Sequence, residues 1–350
     1  MEMIEDQHAT APPLAEDEER SAFVKLDPAG FFIRHPPPPH ELDSFITDDD
    51  SLFQTIHMGA AVVDESKWRL VVSGLVSNPF SLTLGQLRNF PSETITAFME
   101  CYGSPLVPPT KALRRIGNVT WTGVPLSTLL SQAQPHESGS YVWTTGLDRG
   151  AFANVSADRY QKDLPISKAM NPELLVAYAM NGEPLSKNRG GPVRLVVPGW
   201  FGTNSTKWLC KIEVQDRRAP GPFTMTFYNE KYPPDDPLNP SKPVFGVQPN
   251  SMIVRPQPDA KVAGPEVAVE GCAWSEDEVE AVGVSADEGQ SWVVAELKDR
   301  EGFSWQRFRA ELKLNKGRHT LLARSKGRDG RMQPLGEARN HVHRVEIEVV

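Results

Sequence analysis

Thr94-Ile95-Thr96-Ala97-Phe98-Met99 runs into Glu100-Cys101-Tyr102-Gly103-Ser104-Pro105, so an apolar, β-branched segment gives way to a proline-studded loop. β-Branched and aromatic residues fit a pleated, half-buried strand, and Gly and Pro end it. The chain therefore presents a single cysteine at a strand end, where a sulfur on a rigid support can ligate a metal or attack a substrate. An unpaired cysteine also serves as a small buried hydrophobe. Residues further along separate the two roles.

A chain of 350 residues is long for one domain, and two packed domains are the expectation. With 39% hydrophobic and 23% charged residues it has ordinary globular cores. The net charge of -8 argues against a general nucleic-acid binder, and leaves anions to bind only where cations cluster. No apolar run reaches the length of a membrane span, so no membrane partner is expected. Residues 1–20 read as a disordered acidic tail with no apolar signal core, and the ending Glu346-Ile347-Glu348-Val349-Val350 is not a peroxisomal address. A cytoplasmic location is expected by elimination. Three cysteines far apart make no disulfide framework, which fits a reducing compartment.

Before the cysteine stretch, Phe31-Phe32-Ile33-Arg34-His35 leads into Pro36-Pro37-Pro38-Pro39-His40. The prolines force an extended segment with Arg34 and His35 at its mouth, which reads equally as a rigid surface linker. Trp68–Val76 is strand-like and ends at the turn Asn78-Pro79, Leu82–Leu87 reads as a short capped helix, Leu126–Gln132 as a helix and Tyr141–Thr145 as a strand. The apolar run Leu174–Met180 stops at Asn181-Gly182, a tight-turn signal. Arg189-Gly190-Gly191-Pro192-Val193-Arg194 and Gly202-Thr203-Asn204-Ser205-Thr206-Lys207 follow. Glycines let backbone approach a ligand closely, and Arg with Lys hold a phosphate. Each piece alone is compatible with a solvated turn; together they read as an anion pocket.

Trp208, Cys210, Ile212 and Val214 share one face of an alternating run, so Cys210 reads as core filler, as does Cys272 further on. From about Gly246 short alternating runs recur with Gly, Asp and Asn between them and without helical spacing, the pattern of a β-sandwich. The proline-rich run Pro233–Pro256 is the expected connection. The resulting division is 1–20 as tail, 21–245 as an α+β domain carrying the site, and 246–350 as the sandwich.

From Phe31 to Ile347 these residues resemble, in order, the sulfite oxidase family of molybdenum enzymes. The likeness is carried by Phe31–His35, Cys101, Trp121-Thr122-Gly123-Val124, Ala177–Gly182, Gly191–Gly199, Lys207-Trp208-Leu209, Ser285–Trp292 and Gly330–Pro334. The resemblance implies a molybdopterin-binding oxidoreductase domain followed by an immunoglobulin-like dimerisation domain, and hence a homodimer through 246–350. It implies that the Cys101 thiolate ligates molybdenum, a soft donor suited to a metal that shuttles oxygen atoms and two electrons. It maps the pterin-phosphate site onto His35, Arg189, Arg194, Asn204 and Lys207, with Arg189 in place of a histidine common there. Arg34 falls to the substrate, and Tyr228 and Tyr232 are both candidates for the family's active-site tyrosine. No haem or flavin domain is expected on this chain, so electrons leave to a separate acceptor or to oxygen.

One departure bears on substrate. The family continues after its cysteine with Ala-Gly-Asn-Arg-Arg, whereas here Leu106 stands where the second arginine would fall. Losing a bidentate cation from a sulfite pocket costs on the order of 2–5 kcal/mol if nothing replaces it. Arg114 and Arg115 come later, and Pro105, Pro108 and Pro109 stiffen the path between. The reading is thus oxygen-atom transfer on a small substrate that need not be sulfite. Sulfite oxidation proper is the alternative within the class, and a catalytically silent dimeric scaffold is the alternative outside it.

Overall fold

The computed structural model describes residues 24–104, 114–230, 242–336 and 338–350. The acidic tail, the loop residues Pro105, Leu106, Pro108 and Pro109, and Tyr232 lie outside them. Among the described residues no helix is long and apolar enough to cross a membrane.

The cysteine strand spans Glu93–Glu100 and pairs antiparallel along its whole length with Ile116–Pro125, from Glu93 opposite Gly123 to Glu100 opposite Ile116. Leu175–Met180 lies on the far side of Ile116–Pro125 and turns back to Glu183–Pro184 through Asn181 and Gly182, with φ of 51° and 83°. Both turn residues are left-handed, the conformation that Asn-Gly adopts most cheaply. Gly123 is required by the sheet, because a Cβ there would stand 2.4 Å from the Val176 carbonyl oxygen. The cysteine strand is thus an edge strand of this sheet.

A second, five-stranded sheet runs Gln161–Pro165, Tyr141–Gly146, Leu209–Gln215, Leu70–Gly74, Phe80–Leu82. The core between the sheets includes Trp68, Leu70, Val176, Leu195 and Ile212, closed by the helix Leu126–Ala133 through Leu126, Leu129, Leu130 and Ala133. The short helix is Leu84–Arg88, with Thr83 and Gln86 in a reciprocal capping box. Cys210 sits in this core, buried as its alternation predicts.

Two sheets make the sandwich. One runs Asn250–Arg255, Glu266–Trp274, Gln306–Lys313 and Glu296–Leu297; the other runs Ala260–Val262, His343–Val349, Gly317–Gly327, Val279–Ser285 and Val293–Val294. Asn250–Arg255, inside the stretch read as a proline-rich connection, is therefore a strand, and it is missed because prolines flank it on both sides. A further apolar cluster joins the two halves: Phe98, Ile116 and Phe201 from the first meet Met252, Cys272, Trp274 and Trp305 from the sandwich. The sandwich also covers the free edge of the cysteine strand, since the Phe98 N–H donates to the Phe303 carbonyl (2.8 Å) and the Phe303 N–H to the Thr96 carbonyl (2.9 Å). Covering an exposed edge removes a row of unpaired backbone groups.

His343 lies at this junction, buried, with Nδ1 accepting from the Ile253 N–H (2.9 Å). Burial, followed by the charges of Arg114 and His341, pushes its pKa down to about 3. The folded protein keeps the ring neutral while the unfolded chain protonates it below about 6.5, so stability is lost as pH falls from 6.5 toward 3, by up to about 1.4 kcal/mol per pH unit for this group. The melting temperature should therefore drop between pH 7 and pH 5, and His343→Asn, which keeps an acceptor but cannot titrate, should flatten part of that slope. An identical pH dependence in the variant would remove His343 from the account.

Candidate active site

Strand register builds the site. The Cys101 N–H donates to the Arg115 carbonyl (2.9 Å), continuing the ladder one step past Glu100 and Ile116. That step brings the Arg115 side chain over the sulfur: Nη1 donates to Cys101 Sγ at 3.5 Å, and the Gly103 N–H donates to it at 3.4 Å. Thr55 Oγ1 stands 3.7 Å away. A Cβ on Gly103 would fall 2.6 Å from Arg115 Nη1, so a side chain there would push the guanidinium off the sulfur. Arg115 thus reaches the cysteine despite the prolines between them, because it arrives on the paired strand and needs no swing of the loop. Arg114 points the other way, buried, and donates to the carbonyls of Arg339 (3.0 Å) and His341 in the sandwich.

Cys101 opens on a cleft whose opposite wall is cationic. Arg189 and Arg194 are buried there, and Lys207 is partly open to the cleft. Arg189 pairs with the Asp49 carboxylate and donates to the Phe53 (2.7 Å) and Leu52 (2.9 Å) carbonyls. Arg194 donates to the carbonyls of Arg189 (3.0 Å) and Ser205 (3.2 Å) and lies 4.9 Å from the centre of the Trp121 ring. Lys207 Nζ donates to the Thr55 carbonyl (2.7 Å). Burial drives the pKa of Arg194 down to about 9, and burial together with the Arg194 charge lowers that of Lys207. Asp148, buried and lining the cleft, has an Oδ1 without a partner among the described residues, and burial raises its pKa. Desolvated cations in excess of carboxylates are unfavourable unless an anion joins them. A cleft with one strand-end thiol, a cationic wall and a spare buried acceptor fits a pterin that carries a phosphate and presents sulfur to a metal.

Tyr228, at a φ of 59°, lines the same cleft, and its Oη shares a hydrogen bond with His57 Nε2. Burial raises the phenol's pKa. The His57 ring is packed among Phe152 (4.8 Å between centroids), Phe223 (5.3 Å) and Tyr160 (5.5 Å). That enclosure, and next the Lys207 charge, takes its pKa down to about 3, so it is a neutral imidazole at physiological pH. Tyr160 Oη donates to the Thr203 carbonyl (2.7 Å) behind it.

Three expected site residues stand elsewhere. His35 is exposed and lines no part of the cleft; Arg34 donates to the Asp49 and Leu52 (3.1 Å) carbonyls. The reason is sheet order: Phe32–Arg34 pairs on the outer side of Gln54–Ile56, and it is the run Leu52–His57 that faces the cleft. Phe53-Gln54-Thr55-Ile56-His57 repeats the Phe-x-x-x-His spacing of Phe31–His35, a signal that could have found it. Asn204 is buried behind the cleft, donating to the Phe201 (3.1 Å) and Val244 (3.0 Å) carbonyls, while its neighbours Thr203 and Ser205 face inward. Asp148 and Tyr160 carry no motif that sequence reasoning uses; only the fold gathers them with Thr55 and His57.

A strand-end thiol facing a cationic cradle, in a domain joined to a β-sandwich, defines the class of molybdopterin oxidoreductases. The Oxidoreductase molybdopterin binding domain family matches residues 57–223, and the Mo-co oxidoreductase dimerisation domain family matches 242–349. Sulfite oxidase of Gallus gallus is 31% identical over 334 residues, 87% of this chain and 72% of that protein. Mitochondrial sulfite oxidase of Homo sapiens is 31% identical over 339 residues, 89% of this chain; the chain spans 61% of the human protein's length. The sulfane dehydrogenase SoxCD from Paracoccus pantotrophus superposes with a TM-score of 0.78 over 98% of this chain and 92% of that one, at 24% identity, and shares the fold. The chain belongs to the sulfite oxidase family.

Arg194→Ala and Lys207→Ala should each lower pterin content per chain, since each deletes a charge-assisted bond to phosphate of about 1.5–3 kcal/mol. Cys210→Ala should leave that content unchanged and lower the melting temperature. Pterin released from purified protein and read by fluorescence after oxidation checks this; wild-type content in both cation variants would dissociate the cradle from the cofactor.

Proposed function

We propose that the chain binds a molybdenum–pterin cofactor and catalyses oxygen-atom transfer on a small substrate, passing two electrons to a separate acceptor or to oxygen. The observation that carries this is the Cys101 thiol held at 3.5 Å from Arg115 and opening on the cationic cleft. A catalytically silent scaffold has no need of either. When bound, the cofactor supplies a metal that accepts and returns an oxygen atom with two electrons, and a soft thiolate supports that couple.

The chain's own residues do the rest. Arg189, Arg194 and Lys207 would hold the phosphate, and Asp148 Oδ1 would accept from an N–H of the pterin. Tyr228 keeps its proton on Oη, and the neutral His57 ring fixes the phenol's orientation through the hydrogen bond they share. Among the described residues Arg115 is the cation nearest the sulfur, where it steadies negative charge on the thiolate and on a bound substrate. The arginines of the far wall, with Asp49 and the carbonyls they already meet, would be taken up by the phosphate, so they have little left to offer a substrate as well. A substrate less charged than sulfite therefore suits the cleft best. The contact of Arg115 with Cys101 favours a second reading, sulfite oxidation itself, because it restores one cation beside the sulfur. We further propose a homodimer through residues 246–350, a reading supported by the dimerisation-domain family that matches 242–349.

Molybdenum and pterin should be present in protein made in a cofactor-competent host, and Cys101→Ser, nearly isosteric, should abolish turnover with little change in melting temperature. Wild-type turnover in Cys101→Ser, or a metal-free wild type, would overturn the assignment. With sulfite and an artificial acceptor the Michaelis constant should be high; tight, fast turnover would establish the second reading instead.

A further inference from the structure

The sandwich reaches into the cysteine loop with Arg339. Its guanidinium carbon lies 3.5 Å from the centre of the Tyr102 ring, and Nη1 donates to the Ser104 carbonyl (2.7 Å) and to that of Tyr102. The backbone of Arg339 is itself held, because its carbonyl accepts from Arg114 Nη1 at 3.0 Å. On the other side of the cysteine, the buried Glu100 carboxylate accepts from Trp274 Nε1 (2.8 Å) and Asn250 Nδ2 (3.2 Å), both sandwich residues. Every segment flanking the sulfur is thus tied to the sandwich: Glu100 before it, Tyr102–Ser104 after it, and Arg114 next to Arg115. Two of the groups bonded to the sulfur, the Gly103 N–H and Arg115, belong to these tied segments, and Arg115 is fixed to the loop a second time through its N–H to Ser104 Oγ (2.8 Å).

We propose that Arg339 is a positioning residue for the Cys101 thiolate. It grips the face of the Tyr102–Ser104 loop that points away from the cleft and so holds the Gly103 N–H and Arg115 on the sulfur. The sandwich then completes the active site as well as serving assembly. The geometry calls for arginine in particular: a planar guanidinium can stack on an aromatic ring while its N–H groups meet two carbonyls, whereas a lysine ammonium supplies only the charge. The role in turnover rests on the reading of Cys101 as the metal ligand, but the grip on the loop does not.

The test uses the full chain, with and without cofactor. In cofactor-free protein, iodoacetamide should alkylate Cys101 several-fold faster in Arg339→Ala than in wild type, each rate taken on its high-pH plateau where the thiol is ionised in both proteins, with an intermediate rate in Arg339→Lys; Cys210 and Cys272 are buried and do not compete. In loaded protein, Arg339→Ala should keep its metal and pterin content. It should shift the sulfur-to-metal charge-transfer absorption and lower kcat about 10- to 100-fold, as small misplacements at a reacting centre do. An alkylation rate equal to wild type overturns the proposal, as does an unaltered charge-transfer band in variant protein that is fully loaded, even if its melting temperature has fallen. If wild type itself carries no metal, the proposed function fails, and the alkylation rates alone decide whether Arg339 holds the loop.

Discussion

The antiparallel register of Glu93–Glu100 against Ile116–Pro125 is the constraint on which the rest of the site depends. It sets Cys101 at the end of one strand and Arg115 at the start of the next, so the two meet through the backbone ladder. Side-chain period in a strand is two, and a slip of one residue would turn the sulfur and the guanidinium to opposite faces. The buried side chains of Phe98, Val119 and Trp121 resist such a slip, because each would have to leave a core. A core that specifies register is therefore also what specifies the chemistry at the strand end.

The far wall of the cleft works against stability. Arg194 is buried against Trp121 with no carboxylate bonded to it among the described residues, and Lys207 shares the same space. Their lowered pKa values express the desolvation of positive charge, only partly offset by backbone carbonyls. Such an arrangement persists in a folded protein when a ligand of opposite charge supplies the missing interaction. Asp148 shows the complementary case, an acceptor buried without a donor. The two defects face one cleft, and a phosphate-bearing heterocycle with N–H groups answers both.

The sandwich is coupled to that cleft through covalently distant but spatially adjacent residues. Phe303 extends the cysteine strand's hydrogen bonding at its free edge, Trp274 and Asn250 hold Glu100, and Arg339 lies on Tyr102. An edge strand left to itself is frayed by water and open to wrong pairing. Covered by a second domain, it can present a thiolate in one place. The apolar cluster from Phe98 to Trp305 supplies the adhesion, and the polar contacts supply the geometry.

By itself, the sequence determined the local and periodic features of this protein. The β-branched run ending at Cys101, the Asn181-Gly182 turn, the helix from Leu126, the alternation that buries Cys210 and the short strands of the sandwich all follow from side-chain period and turn chemistry within a few residues. The cations Arg189, Arg194 and Lys207 were legible as one group because they lie close in sequence. Only the tertiary structure decided between Phe31–His35 and Phe53–His57, since both carry the same spacing and sheet order alone puts the second on the cleft. It also set Tyr228 beside His57, 171 residues apart, and returned Arg115 to the cysteine across a proline-rich loop. Contacts of that kind depend on strand pairing and domain packing, which no window of neighbouring residues encodes.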